Sequence, residues 1–250
     1  MIEVPYLTEA QIEARAEALL AAFSRARGPI LRPPVPLDDK ILYSLGLRLH
    51  MDDLHARFGV PRIAGRVHIL AALWIEDQEI RVDESLDPEV NPKAEGRYHF
   101  SIGHEIGHWE LHRHQITAAS AEPLLLVEDR SPIVCRSQHP QFTRLRREMR
   151  VRMELQADAF GACLLMPRSF VQAAWRRRLN NLDPVFVEDR QGVAPQLQLS
   201  LPRVHRICEG PAKRITRRSL HKLVADIASE FGASRSAMGI RLRKLGLILP

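Results

Sequence analysis

His104, Glu105 and His108 stand within the pentapeptide His-Glu-Ile-Gly-His at 104–108. On a helix, residues four apart lie on one face, so the two imidazoles aim at one point. Glu105 projects beside them, within reach of a water held there. A helix presenting this trio can bind a zinc ion and supply a general base to the water on it. Ser101 is a good N-cap for such a helix, and Glu105 to Leu111 has no Pro and only one Gly. Ile102, Ile106 and Trp109 fall on a stripe opposite the histidines, leaving one face to pack and one to bind. The bland alternative is an amphipathic helix with solvated histidines; the spacing and its context together weigh against it.

Two imidazoles and a water do not complete a site. Catalytic zinc takes three protein ligands and keeps the fourth position for water. His112 continues the four-residue spacing, but a helix carries it about 6 Å further along the axis. His114 sits where metzincins place a third histidine, yet those enzymes need Gly three residues after the second, and Leu111 stands there. Glu154 is the best candidate. It opens Glu154-Leu-Gln-Ala-Asp158, two carboxylates four apart on an expected helix. Glu154 completes the shell in this reading, and Asp158 accepts a hydrogen bond from the far nitrogen of a zinc-bound histidine. Alone, these carboxylates would read as solvated helix charge; beside the histidine pair they read as part of a site.

With these residues the chain resembles the ImmA/IrrE-type metallo-endopeptidases. The resemblance is carried by His104-Glu-Ile-Gly-His108 with Arg97-Tyr-His-Phe-Ser101 before it. Glu154-Leu-Gln-Ala-Asp-Ala-Phe-Gly-Ala-Cys-Leu-Leu-Met-Pro167 comes after it, and the likeness extends through Pro132-Ile-Val-Cys-Arg136 and Phe231-Gly-Ala-Ser-Arg-Ser-Ala-Met-Gly-Ile-Arg-Leu242. The spacing of Glu154 and Asp158 is also similar to that of thermolysin-like gluzincins. The resemblance implies a zinc-dependent endopeptidase of bacterial cytoplasm, phage or mobile elements, whose protein substrate is a helix-turn-helix repressor. It covers the chain from about Leu37 onward.

The elements that must position these residues can be read in turn. Thr8-Glu-Ala-Gln11 is a capping box, Ile12, Ala16, Leu19, Leu20 and Phe23 form a helical stripe, and Gly28-Pro29 stops it. A short helix is expected over Asp38–Leu45, a strand over Leu47–Met51, and a hairpin from Ile69–Ile75 and Glu79–Val82. Leu86–Gly96 reads as loop. Beyond the zinc helix, a strand pair is expected at Leu124–Glu128 and Ile133–Arg136. Helices are expected over Phe142–Leu165, with Ala159, Phe160, Cys163 and Leu164 inward, and over Ser169–Leu179. This order fits an α+β, zincin-like domain with a small sheet beside the active helix. The domains are expected at 1–180 for the metalloprotease, 181–218 for a linker, and 219–250 for an all-α module like a helix-turn-helix. In that module Gly232-Ala-Ser234 makes the turn, and Arg241 occupies a position the motif usually gives to an apolar residue.

Composition bounds the rest. Of 250 residues, 45% are apolar and 26% charged, as in soluble globular proteins. Cys135, Cys163 and Cys208 are odd in number and scattered, which suggests a reducing compartment and excludes a thiolate zinc ribbon. The start lacks the basic and apolar signature of an export signal, so a cytoplasmic location and no membrane are expected. From Pro202 to Pro250, 11 Lys or Arg face 3 Asp or Glu, a balance of +8, so the first 201 residues sum to −2 against the net +6. The basic tail suits an acidic protein face or DNA, with partner docking preferred over DNA reading. A rival reading makes that module the working part of a DNA-binding transcription regulator or toxin–antitoxin component. Its zinc would then be structural, closed by a fourth ligand such as His112 or His114.

Overall fold

The computed structural model describes residues 4–62, 68–114, 124–128, 147–187 and 213–249. The chain divides into two compact units, Met1–Leu165 and Met166–Pro250.

In the first unit, helix α1 (Glu9–Arg27) starts on the expected capping box, with Thr8 and Gln11 bonding reciprocally, and ends at Gly28. Its stripe of Ile12, Ala16, Leu19 and Phe23 is buried, Leu20 less so. A wide turn over Leu37–Ile41 leads into the single turn α2 (Leu42–Ser44), and Gly46 closes it at φ +72°. Strand β1 (Arg48–Asp52) comes next, then a short helix α3 (Leu54–Phe58) that sequence patterning does not reveal. Asp53 caps α3 and Gly59 ends it in the left-handed region. Strands β2 (His68–Trp74) and β3 (Glu79–Asp83) form the expected antiparallel hairpin. With β4 (Leu124–Glu128) they build one sheet in the order β1-β3-β2-β4, β1 lying parallel to β3 and β4 antiparallel to β2. The expected partner strand Ile133–Arg136 lies outside the described residues.

Helix α4 (Glu95–His112) begins before Ser101, so Ser101 is not its N-cap. A 3₁₀ turn over Pro92–Ala94 runs straight into it, and the Ser101 hydroxyl donates instead to the Arg97 carbonyl inside the helix at 2.8 Å. The stretch expected as loop is thus partly helical, because Pro92 fits the first turn of a helix. Helix α5 (Arg147–Leu165) is the other long element here; Phe142–Arg146 of the expected helix falls outside the described residues. α4 packs against α5 and against β2, β3 and β4, while α1 packs on α5. Phe160, Cys163 and Leu164 are buried as expected, but Ala159 is only half-buried, and Ala157 takes the inward place.

The second unit starts earlier than the expected boundary at 180. Pro167 stops α5, and α6 (Arg168–Leu179) groups with the C-terminal elements. The segment expected as a linker at 181–218 contributes β5 (Val185–Val187), paired in parallel with β6 (Lys213–Ile215). Three residues are too few to show a periodic signal. α7 (Arg217–Glu230) and α8 (Arg235–Lys244) are capped by Thr216 and Ser234, with Gly232 at φ +57° between them. Leu220, Val224, Ile227, Phe231, Met238, Leu242 and Leu245 are buried. Arg177 and Arg178 of α6 pair with Glu230 of α7. Arg241 is 4% exposed and donates from Nε to the Met166 carbonyl at 2.9 Å, so it is a buried packing residue here. Among the described residues no helix is long and apolar enough to cross a membrane.

Candidate metal centre

The site lies where α4 and α5 touch, and small residues let them touch closely. A Cβ on Gly161 would stand 2.9 Å from the Gly103 carbonyl carbon and the His104 nitrogen. One on Gly107 would stand 3.0 Å from Ala157 Cα and O. With glycine at these points the backbones meet directly, and Glu154 on α5 comes within reach of the histidines on α4.

One ligand atom each from His104, His108 and Glu154 gathers within 4.8 Å of the others. The two imidazole Nε2 atoms are 2.9 Å apart. Glu154 Oε2 lies 3.3 Å from His104 Nε2, and Glu154 Oε1 lies 3.8 Å from His108 Nε2. Both histidines are buried, while the Glu154 side chain is 25% exposed. Behind them, His104 Nδ1 lies 2.8 Å from Asp158 Oδ1, as the sequence spacing leads one to expect for one ligand histidine. His108 Nδ1 lies 3.0 Å from His112 Nδ1, and His112 Nε2 lies 2.9 Å from Gln156 Oε1. His112 therefore stands behind His108, away from the point where the three ligand atoms gather, and His114 is exposed past the end of α4.

Charge follows this geometry. Burial works against a proton on His104, but the Asp158 and Glu154 carboxylates hold one there and push it up to about 10. Burial and the neighbouring imidazoles act oppositely on Glu154; the pull of His104 and His108 wins and holds its carboxyl well below the usual range. Burial drives protons off His108 and takes His112 down to about 3, with the nearness of His108 adding to the latter effect. Burial pushes the Glu105 carboxyl up to about 8. Both of its oxygens are buried and bond to nothing among the described residues.

A buried carboxylate without a donor is costly unless a cation compensates it. Two neutralisable imidazoles, a carboxylate and this orphaned Glu105 are the donor set and charge balance a divalent metal satisfies. Three protein atoms are brought together among the described residues, which is the number of a catalytic zinc site; a structural one uses four.

Compared with known families, residues 90–200 match the model of a peptidase family described as the IrrE N-terminal-like domain. That segment is similar to the IrrE N-terminal-like domain. No curated protein matches the chain. The IrrE-like segment contains α4, β4, α5, α6 and β5, hence all of His104, Glu105, His108, Glu154 and Asp158. β1, the hairpin, α7 and α8 lie outside it.

Sequence reasoning misses three contributors to the IrrE-like site. Gly103, Gly107, Ala157 and Gly161 are legible as small residues at four-residue spacing on two helices, but only their contact reveals the seam. Gln156 looks like a solvated residue between the two carboxylates. His112, weighed as a ligand, instead backs His108.

Proposed function

We propose that the chain is a zinc-dependent endopeptidase, with His104, His108 and Glu154 as ligands and Glu105 as general base. The observation that carries this reading is the buried, unpartnered Glu105 carboxylate beside three converging ligand atoms, within a segment of a peptidase family. His104, His108 and Glu154 would hold a zinc ion, which would supply Lewis-acid chemistry, making a water more acidic and the scissile carbonyl more electrophilic. Glu105 then takes the proton from the attacking water and delivers it to the leaving amine. Its burial keeps competing solvent away, and its raised pKa suits a group that must both accept and return a proton near neutrality. Asp158 anchors His104 and so fixes the nitrogen that His104 presents. Among the described residues β4 is an edge strand that contacts α4, so an extended substrate segment adding to it would lie along the site.

The substrate in this proposal is a helix-turn-helix repressor in bacterial cytoplasm, cut at one site in a stress, phage or mobile-element response. The resemblance read from the sequence supports it. The test is co-expression with candidate repressors. Wild type should yield a defined fragment, and Glu105→Gln should keep its zinc and cleave at least about a hundredfold more slowly. A Glu105→Gln protein that cleaves at the wild-type rate overturns the mechanism.

A further inference from the structure

The metal ligand His108 is joined to the start of the chain by a continuous line of hydrogen bonds. His108 Nδ1 meets His112 Nδ1 at 3.0 Å, and His112 Nε2 meets Gln156 Oε1 at 2.9 Å. Gln156 Nε2 donates to the Pro5 carbonyl at 2.8 Å. Beside it, Arg152 Nη1 donates to the Val4 carbonyl at 2.8 Å. His108, His112, Gln156 and Val4 are all buried, Gln156 at 4% exposed.

The chemistry of the far end sets the direction of every bond. A carbonyl oxygen only accepts, so the Gln156 amide must turn its NH₂ to Pro5 and its oxygen to His112. That oxygen requires a proton on His112 Nε2. A neutral His112 then has a lone pair on Nδ1 and can only accept from His108. His108 thus carries its proton on Nδ1 and leaves the Nε2 lone pair facing His104 and Glu154. We infer that Gln156 and His112, held by the Pro5 carbonyl, are positioning residues that select the metal-binding tautomer of His108, making the N-terminal segment part of the metal site. His104 needs no such device, because Asp158 receives its Nδ1–H directly at 2.8 Å. The one carboxylate serves one histidine, and the chain start serves the other.

This inference rests on the metal site proposed above, and its test separates the two. Zinc affinity is measured by competition with a chromophoric chelator, and histidine tautomers by long-range ¹H–¹⁵N correlation of the zinc-loaded full chain. Wild type should show His108 protonated at Nδ1 and His112 at Nε2. Gln156→Leu keeps the bulk but removes both bonds; His112 should lose its single tautomer, and zinc should bind roughly ten- to a hundredfold more weakly. Gln156→Glu keeps an acceptor for His112 but loses the donor to Pro5, so it should recover the His112 tautomer and, like removal of the Pro5 carbonyl, only part of the affinity. Deletion of residues 2–6 should weaken zinc in the same direction while α1 keeps its cap at Thr8. The relay is overturned if wild-type His112 carries its proton on Nδ1. It is equally overturned if Gln156→Leu binds zinc as tightly as wild type, an outcome that leaves the peptidase reading standing. A wild type that binds no zinc overturns both.

Discussion

Glu154→Ala is expected to strip most of the bound metal, because no other described carboxylate reaches both imidazoles, whereas His114→Ala should keep it. Metal analysis of the purified variants decides this, and loss of metal in His114→Ala alone would move the third ligand. Asp158→Asn should be milder, about ten- to a hundredfold in affinity, since it disturbs a ligand's orientation and removes no ligand. Acidity gives a further expectation. His104 holds its proton up to about 10 in the metal-free site, yet an imidazole must be neutral to bind metal. Zinc uptake near pH 7 should therefore release about one proton from His104, and affinity should climb as pH rises. Calorimetry in two buffers of different ionisation heat reads the proton; no buffer dependence would mean that His104 is already neutral. The stability linkage has a definite sign. With its folded value raised, the His104 imidazolium stabilises the metal-free fold fully below about 6.5, the ordinary histidine value. That contribution is lost as pH rises through about 10.

The seam between α4 and α5 can be probed one methyl at a time. Gly161→Ala would set a carbon 2.9 Å from the backbone of Gly103 and His104, so the helices must part. We expect a loss of roughly 1–3 kcal/mol in stability, as for other overpacked contacts, together with weaker metal binding. Gly239→Ala on α8 is the matched control: its nearest neighbour atom is 3.9 Å away, so the gain in helix propensity should stabilise by roughly 0.5–1 kcal/mol. Thermal melts of the two variants should move in opposite directions. Elements whose ends are written in local chemistry are legible from the sequence: the Thr8–Gln11 box of α1, the hairpin of β2 and β3, the Ser234 cap of α8. The start of α4 is misread because Pro92, Asn91 and Gly96 look like loop, while a helix can begin on a proline turn. The candidate ligand residues are legible because four-residue spacing fixes them on their own helices. Gln156 and Gly161 are not, because their roles exist only across the contact between two helices.

The second unit carries the positive charge, and only some of its basic residues are able to display it. Arg235, Arg243 and Lys244 are exposed on α8, but Arg241 is buried against the Met166 carbonyl. Reversing the three exposed charges should leave zinc content and fold intact while slowing cleavage of the protein substrate, an effect that fades with added salt. A short neutral peptide should be cut at an almost unchanged rate; equal slowing of both substrates would place the unit in the catalytic scaffold. In the proposed reading the exposed face of α8 serves encounter, and the α4–α5 seam serves chemistry. That seam also ties metal binding to folding. His104 and His108 lie on one helix and Glu154 on the other, so the full donor set exists only after the helices have docked. Zinc bound as proposed would act as ballast on the folding equilibrium: free metal at 100 times its dissociation constant would add about 2.7 kcal/mol to stability. On that proposal, a cell starved of zinc would hold a looser first unit, whose lifetime would follow the metal supply.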